Sequence, residues 1–257
     1  MAKITWGMPE PYQIERYLQS MPLRYAQIFD AFAIEQHART VFARGQRSAN
    51  LGLFRSAGGS GTAICVVAPD RPGLLATISL AFVECGLDII AAEVFTRIAP
   101  GYFAEAVDLF WVRRPPPDES LQLRPADLRR IRSTLIGLLE RTPSELLGRP
   151  RFESAGRAAA GTTLRFLEDE GGRFVTLEIE TNDRTGLLLA VCQALFGEGV
   201  QIVGSRITSL AGRVSGRFEL VELSNGPIES GRRHIIKLAV LSAVSVDSSD
   251  QQSLPAQ

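Results

Sequence analysis

One hexapeptide pattern occurs twice in this chain, and a repeat constrains architecture more than any other feature of a sequence. Asp70-Arg71-Pro72-Gly73-Leu74-Leu75 matches Asp183-Arg184-Thr185-Gly186-Leu187-Leu188, the second copy lying 113 residues after the first. At the same spacing Ala81 meets Ala194, Gly86 meets Gly199 and Ile89 meets Ile202, with no gap. The matched residues have mechanical uses. Asp70 and Asp183, ahead of a helix, can cap orphan amides and meet the positive end of the helix dipole. Pro72 suits a first helical turn, where its missing N–H costs nothing. Gly73 and Gly186 remove a side chain where the backbone can approach a ligand or a strand. Gly86 and Gly199 stop the helix and turn the chain into the next strand.

The same order of elements is predicted around each copy. Ala-Ile-Cys-Val-Val-Ala from Ala63 reads as a buried strand, and Leu74, Leu75, Ile78 and Phe82 recur at helical spacing over 71–85. Residues 87–97 and 102–112 are rich in β-branched and aromatic residues and form a hairpin about 99–101, ended by the proline run 115–117. Leu128, Ile131, Leu135, Leu138 and Leu139 mark a second helix, and 163–167 supplies a closing strand. In the second copy 174–180 alternates like a strand, Leu187, Leu188, Val191 and Leu195 line a helix, 200–210 and 217–223 pair, and 228–244 is helical. After it comes only a polar tail, so the closing strand of the second copy is either absent or borrowed from elsewhere.

Ahead of the repeats, Tyr12, Ile14, Tyr17 and Leu18, then Ile28, Phe29, Phe32, Ala38, Val41 and Phe42, form two helical stripes separated at Pro22. The predicted fold is therefore α+β: two ferredoxin-like βαββαβ modules with antiparallel sheets behind an N-terminal helical arm. The expected boundaries are 1–56 for the arm, 62–168 and 172–245 for the modules, and 246–257 for a disordered tail; 57–61 and 157–161 are Gly-rich or Gly/Ala-rich connections.

Composition narrows the function classes. Lys and Arg number 28, as do Asp and Glu, and the basic residues are scattered, so neither nucleic acid nor an anionic membrane is an expected partner. Cys65, Cys85 and Cys192 lie in apolar stretches without CxxC spacing and read as small buried hydrophobes in a reducing compartment. The N-terminus lacks a leader pattern and no apolar run is long enough for a bilayer, so a cytoplasmic location is expected. His37 and His234 are far apart and read as packing or surface residues; no metal and no cofactor is expected.

The phrases VVAPDRPGLLATISLAFVECGLDIIAAEVFT and IETNDRTGLLLAVCQALFGEGVQIVGSRITS resemble the strand, DRPGLL, helix, G-x-x-I, strand signature of ACT domains. The tandem pair is similar to the C-terminal regulatory region of the uridylyltransferase/uridylyl-removing enzymes of PII nitrogen signalling. That resemblance implies a regulatory amino-acid-binding protein in nitrogen or amino-acid metabolism, with glutamine the first candidate effector. It would act through a protein partner or through self-association of ACT modules. In such domains the ligand sits between the strand-to-helix loop of one module and the second strand of its neighbour. By position this gives Asp70, Arg71, Pro72, Gly73 and Leu74 with Asp88 and Ile89, and Asp183, Arg184, Thr185, Gly186 and Leu187 with Gln201 and Ile202. Asp88 and Gln201 stand where many members have Asn, and Thr185 replaces the proline. The alternatives are a scaffold that has lost its ligand, or a detached regulatory subunit of such an enzyme.

No catalytic residue is assigned. Gly58-Gly59-Ser60-Gly61 lacks the downstream aspartates of a nucleotidyltransferase, two histidines cannot furnish a phosphohydrolase metal cluster, and neither a Walker lysine nor a Ser/His/Asp set is apparent. The chain is expected not to be an enzyme by itself.

Overall fold

A computed structural model describes residues 9–55, 62–99, 101, 103–114, 123–147, 161–168 and 172–245. The 57–61 joint, the 115–117 proline run, most of 157–161 and the 246–257 tail lie outside the described residues. The arm holds helices α1 (Pro11–Ser20), α2 (Tyr25–Ile28) and α3 (Ala31–Arg44), then strand β1 (Asn50–Phe54). The first module continues with β2 (Thr62–Pro69), α4 (Leu74–Glu84), β3 (Asp88–Val94), β4 (Thr96–Ala99), β5 (Phe103–Arg113), α5 (Pro125–Leu139) and the short α6 (Pro143–Leu147). The second contains β6 (Thr163–Glu168), β7 (Val175–Asn182), α7 (Leu187–Gly197), β8 (Val200–Leu210), β9 (Arg213–Glu222) and α8 (Ser230–Val244).

All nine strands join one antiparallel sheet in the order β1-β2-β5-β3-β8-β9-β7-β6, with β4 paired to β5. The fold is α+β as expected, but two strands are placed differently. Residues 50–54, read as part of the helical arm, pair with β2. Strand β6, expected to close the first module, instead pairs with β7. Each module thus receives its edge strand from the chain preceding it: β1 flanks β2 as β6 flanks β7. The order is ββαββα, a permuted form of βαββαβ. This also supplies the strand the second copy lacked. Backbone pairing fixes where an edge strand sits, not which end of the module delivers it.

Residues Gly86 and Gly199 turn the helices at φ 68° and 72°, where L side chains are strained. Both copies also carry the same irregularity two residues into their second strand: β3 slips register between Ile89 and Ala91, β8 between Ile202 and Gly204.

Helices α4, α5, α7 and α8 cover one face of the sheet, and a single apolar core runs beneath them through both modules. The arm covers the opposite face, chiefly over the first module, where Tyr17, Tyr25, Ile34, Val41, Cys65, Phe95 and Leu109 form a second core, while Arg24, Gln27 and Ile28 border a cleft with Ser205, Arg206 and Glu219 of the second. Tyr12 and Phe32, counted among the arm's apolar stripes, remain exposed. The sequence carries this difference. β2 is buried at six successive residues, as its continuous apolar run requires for a strand covered on both sides, whereas β7 alternates buried and accessible positions.

The modules join edge to edge through β3 and β8, where Glu93 stands opposite Arg206 in antiparallel register. These two residues are themselves 113 apart, so they are the same position of the repeat and mark its local two-fold axis. The Arg206 guanidinium donates to Glu93 at 2.5 Å, and Arg24 from the arm lies 3.8 Å from the same carboxylate.

Candidate functional site

Each DR-x-G segment forms a tight turn ahead of its helix. Leu74 N–H donates to Arg71 O at 3.1 Å and Leu187 N–H to Arg184 O at 3.2 Å. Gly73 (φ 75°, ψ 6°) and Gly186 (φ 74°, ψ 7°) occupy the third position, which has type II geometry and needs a positive φ. Helices α4 and α7 therefore begin at Leu74 and Leu187, the first of them later than the expected 71, and Pro72 sits in the turn, outside the helix. Because the N-cap is glycine, the cap residue offers no side chain to the first helical amides.

The aspartates do not cap their helices. Asp70 accepts from the Thr96 hydroxyl at 2.8 Å, and Asp183 accepts from the Ser209 hydroxyl; Thr96 and Ser209 are again one position of the repeat. These bonds fasten the turn to β4 in one module and to β8 in the other. Burial lifts the Asp70 carboxyl above its ordinary range, although the Thr96 bond opposes this. The arginines fasten the turn on its other side: Arg71 donates to Leu139 O at 2.9 Å and Arg184 to Ala243 O at 2.7 Å, the last carbonyls of α5 and α8. A cation there satisfies orphan acceptors and meets the negative end of the dipole. Both residues carry out structural work.

The turns face the neighbouring module. At the first junction a cleft is lined by Asp70, Arg71, Gly73 and Leu74 from one module and by Gln201 and Ile202 from the other, with Thr96, Asp108, Cys192 and Phe196 completing its walls. A Cβ on Gly73 would lie 3.1 Å from the Phe196 ring and 3.0 Å from Pro143. The free space is about 20 Å³, the room of one water molecule.

At the second junction Asp88 and Ile89 meet Gly186, with Asp183 nearby, as the repeat requires. Here the protein places its own group at the turn: the buried Asp88 carboxyl lines the same pocket as Gly186, whose backbone amide favours its charged form. Arg113 lies 3.6 Å from Asp88 and 3.5 Å from Asp183, bridging the modules. Burial and the Asp183 charge raise the Asp88 carboxyl, while the Gly186 amide and Arg113 oppose the rise. Val83 stands where the first junction has Phe196, and a Cβ on Gly186 would meet nothing within 4 Å. Gln201 is the counterpart of Asp88 and carries no charge, so the two junctions are not equivalent.

Sequence reasoning missed Asp108. It is 1 % exposed, the nearby Phe95 backbone amide favours its charged form, and its Oδ1 has no hydrogen-bond partner among the described residues. The signal was present: in Ala106-Val107-Asp108-Leu109-Phe110 an acid interrupts an apolar strand, and such residues are seldom buried without cause.

His37 is buried in the arm and His234 is exposed. Tyr17 OH donates to Tyr25 OH at 2.9 Å, and Tyr25 OH and His37 Nδ1 share a hydrogen bond at 2.7 Å. Burial holds His37 down at about 3. All three cysteines are buried. Among the described residues no His/Cys/Asp/Glu group could hold a metal ion, and no helix is long and apolar enough to cross a membrane.

The fold and its two junctions define a tandem pair of ferredoxin-like modules, joined at their second strands with a glycine turn of each facing the other. No protein-family model matches the chain. It is similar to bifunctional uridylyltransferase/uridylyl-removing enzymes: 26 % identical to that of Phenylobacterium zucineum (strain HLK1) over 95 % of the chain and 26 % of the relative. To the enzyme of Ralstonia nicotianae (strain ATCC BAA-1114 / GMI1000) it is 32 % identical over 63 % of the chain and 19 % of the relative. To that of Erythrobacter litoralis (strain HTCC2594) it is 30 % identical over 72 % and 20 %. The chain thus spans about a fifth to a quarter of the length of these enzymes.

Proposed function

We propose that this chain is a non-catalytic regulatory sensor with tandem ACT modules, binding a free amino acid, glutamine first among candidates, and acting on a protein partner in nitrogen or amino-acid metabolism. The observation carrying this reading is the first junction, where the Gly73 turn faces Gln201 and Ile202 across the module boundary. Similarity to a limited part of a bifunctional enzyme supports a regulatory role separate from catalysis.

The energetics require the junction to take part. A helix N-terminus contributes ~0.3 to 2 kcal/mol to a bound anion, whereas micromolar affinity needs about 8 kcal/mol. Burial between the modules must supply the difference. A cleft with room for one water cannot admit a whole amino acid unless α4 and α7 part, so binding would be coupled to opening of the junction, and that movement is the signal a partner could read. Binding should be limited to one molecule per chain, because the second turn has the Asp88 carboxyl beside it where the first has the uncharged Gln201.

Calorimetry against the twenty amino acids tests this: one site per chain is expected, and heats from none, in protein shown to be folded, would reject it. The second reading, a scaffold whose modules only pair, is favoured by the structural use of Arg71 and Arg184 and by the Asp88 carboxyl at the second turn.

A further inference from the structure

We infer that Asp108 is the residue of the first junction that receives the ammonium group of the bound amino acid. This rests on the sensor reading and adds to it the orientation of the ligand: carboxylate toward the amides after Gly73, ammonium toward the strand β5 beneath them.

Three observations converge on Asp108. It is almost completely buried, yet Oδ1 is left without a hydrogen-bond partner among the described residues, an arrangement that costs stability unless something else is served. It lines the same cleft as the Gly73 turn, so a ligand held by one is within reach of the other. The cleft's free space fits one water, which is also the size of one ammonium head. The second module has no counterpart: on strand β9 the matching stretch carries Gly216, and the cavity there is lined mostly by apolar residues.

The groups facing Asp108 explain why it would favour a cation. Asp70 adds a second acid, and the Cys65 and Cys192 thiols feel its charge from the arm side and from α7. Burial first, then Asp70, hold the Asp108 carboxyl well above its ordinary range, which favours its carrying a proton until a cation arrives. An arriving ammonium would pair with the carboxylate, and the displaced proton would go to solvent.

Proton release is the readout that a purely structural aspartate would not produce. Calorimetry of the wild-type chain, in buffers of different ionisation enthalpy, with whichever of the twenty amino acids binds, should report about one proton released per ligand. Asp108→Asn retains an oxygen for the Phe95 amide; it should abolish the release and weaken binding at least about tenfold. Binding by the wild type without release, or an Asp108→Asn chain that binds and releases like the wild type, would overturn the assignment and leave the sensor reading standing. Absence of heat from all twenty would remove both. The wild-type proton count decides the matter even if the variant does not fold.

Discussion

The two modules come from one repeat unit, yet the first is enclosed and the second is open. The arm lies on the outer face of β2, β5 and β1, where an apolar core and buried ion pairs hold it, while the same face of the second module carries the exposed Arg165 and Arg217 paired with a half-buried Glu178, and the arm reaches it only at the cleft by Glu219. What separates them is visible in single strands: TAICVVAP is apolar without interruption and VTLEIETN alternates. The same repeat can therefore serve as a rigid platform or as an accessible module, according to the outward-facing residues of its strands.

Substitution at equivalent depths should expose that contrast. The largest effect is expected at Glu105, which is 1 % exposed and accepts from Arg44 at 2.6 Å and from Arg97 at 2.7 Å, tying the arm to β4 and β5. Glu105→Ala leaves two buried guanidinium groups unpaired and should cost about 3–5 kcal/mol in urea unfolding. A loss below about 1 kcal/mol would mean that the arm is not fastened through this triad.

The arm should also govern the acid limb of stability. His37 is held neutral when folded, at about 3 against an ordinary value of 6.5, so the unfolded chain takes up a proton first as pH falls. Its contribution is complete above pH 6.5 and is lost progressively toward pH 3, with a slope of at most about 1.4 kcal/mol per pH unit. His37→Gln should flatten that part of a stability-against-pH curve. An unchanged slope would place the acid sensitivity elsewhere.

A narrower comparison concerns the two turns. Gly186→Ala forces an L residue into the left-handed region and should cost about 1–2 kcal/mol. Gly73→Ala adds contacts at 3.0 Å with Pro143 and 3.1 Å with Phe196, so it should cost more. Equal losses in paired denaturation curves would show that the first junction yields easily. The smallest effect is expected on the open face, where Glu178→Ala breaks ion pairs with the exposed Arg217 and Arg165 and should change stability by less than about 1 kcal/mol.

Much of the architecture could be read before any coordinates. The repeat revealed both helices and both hairpins because glycines at 73, 86, 186 and 199 answer a backbone need that no other residue meets as well. That a turn would face a second strand came from the resemblance to ACT domains, and the grouping given with it is exchanged in the structure: the Gly73 turn meets Gln201 and Ile202, and the Gly186 turn meets Asp88 and Ile89. The origin of the edge strands could not be read. NLGLF and TLRFLE are short, and nothing local in an edge strand names its partner. The roles of Arg71 and Arg184 were hidden because their acceptors lie 68 and 59 residues away on another helix. Asp88 read as a ligand group, and only the fold shows that it lies buried beside the Gly186 turn of the other module and within 3.6 Å of Arg113.

The opposition of Glu93 to Arg206 bears on how this molecule avoids its own kind. Were a first module to dock symmetrically with another first module, acid would confront acid at the centre of the seam; two second modules would set guanidinium against guanidinium. Only the mixed union joins unlike charges. Because the two copies of the unit carry opposite charges at this one position, the seam has an acidic side and a basic side, and its polarity follows the order of the copies along the chain.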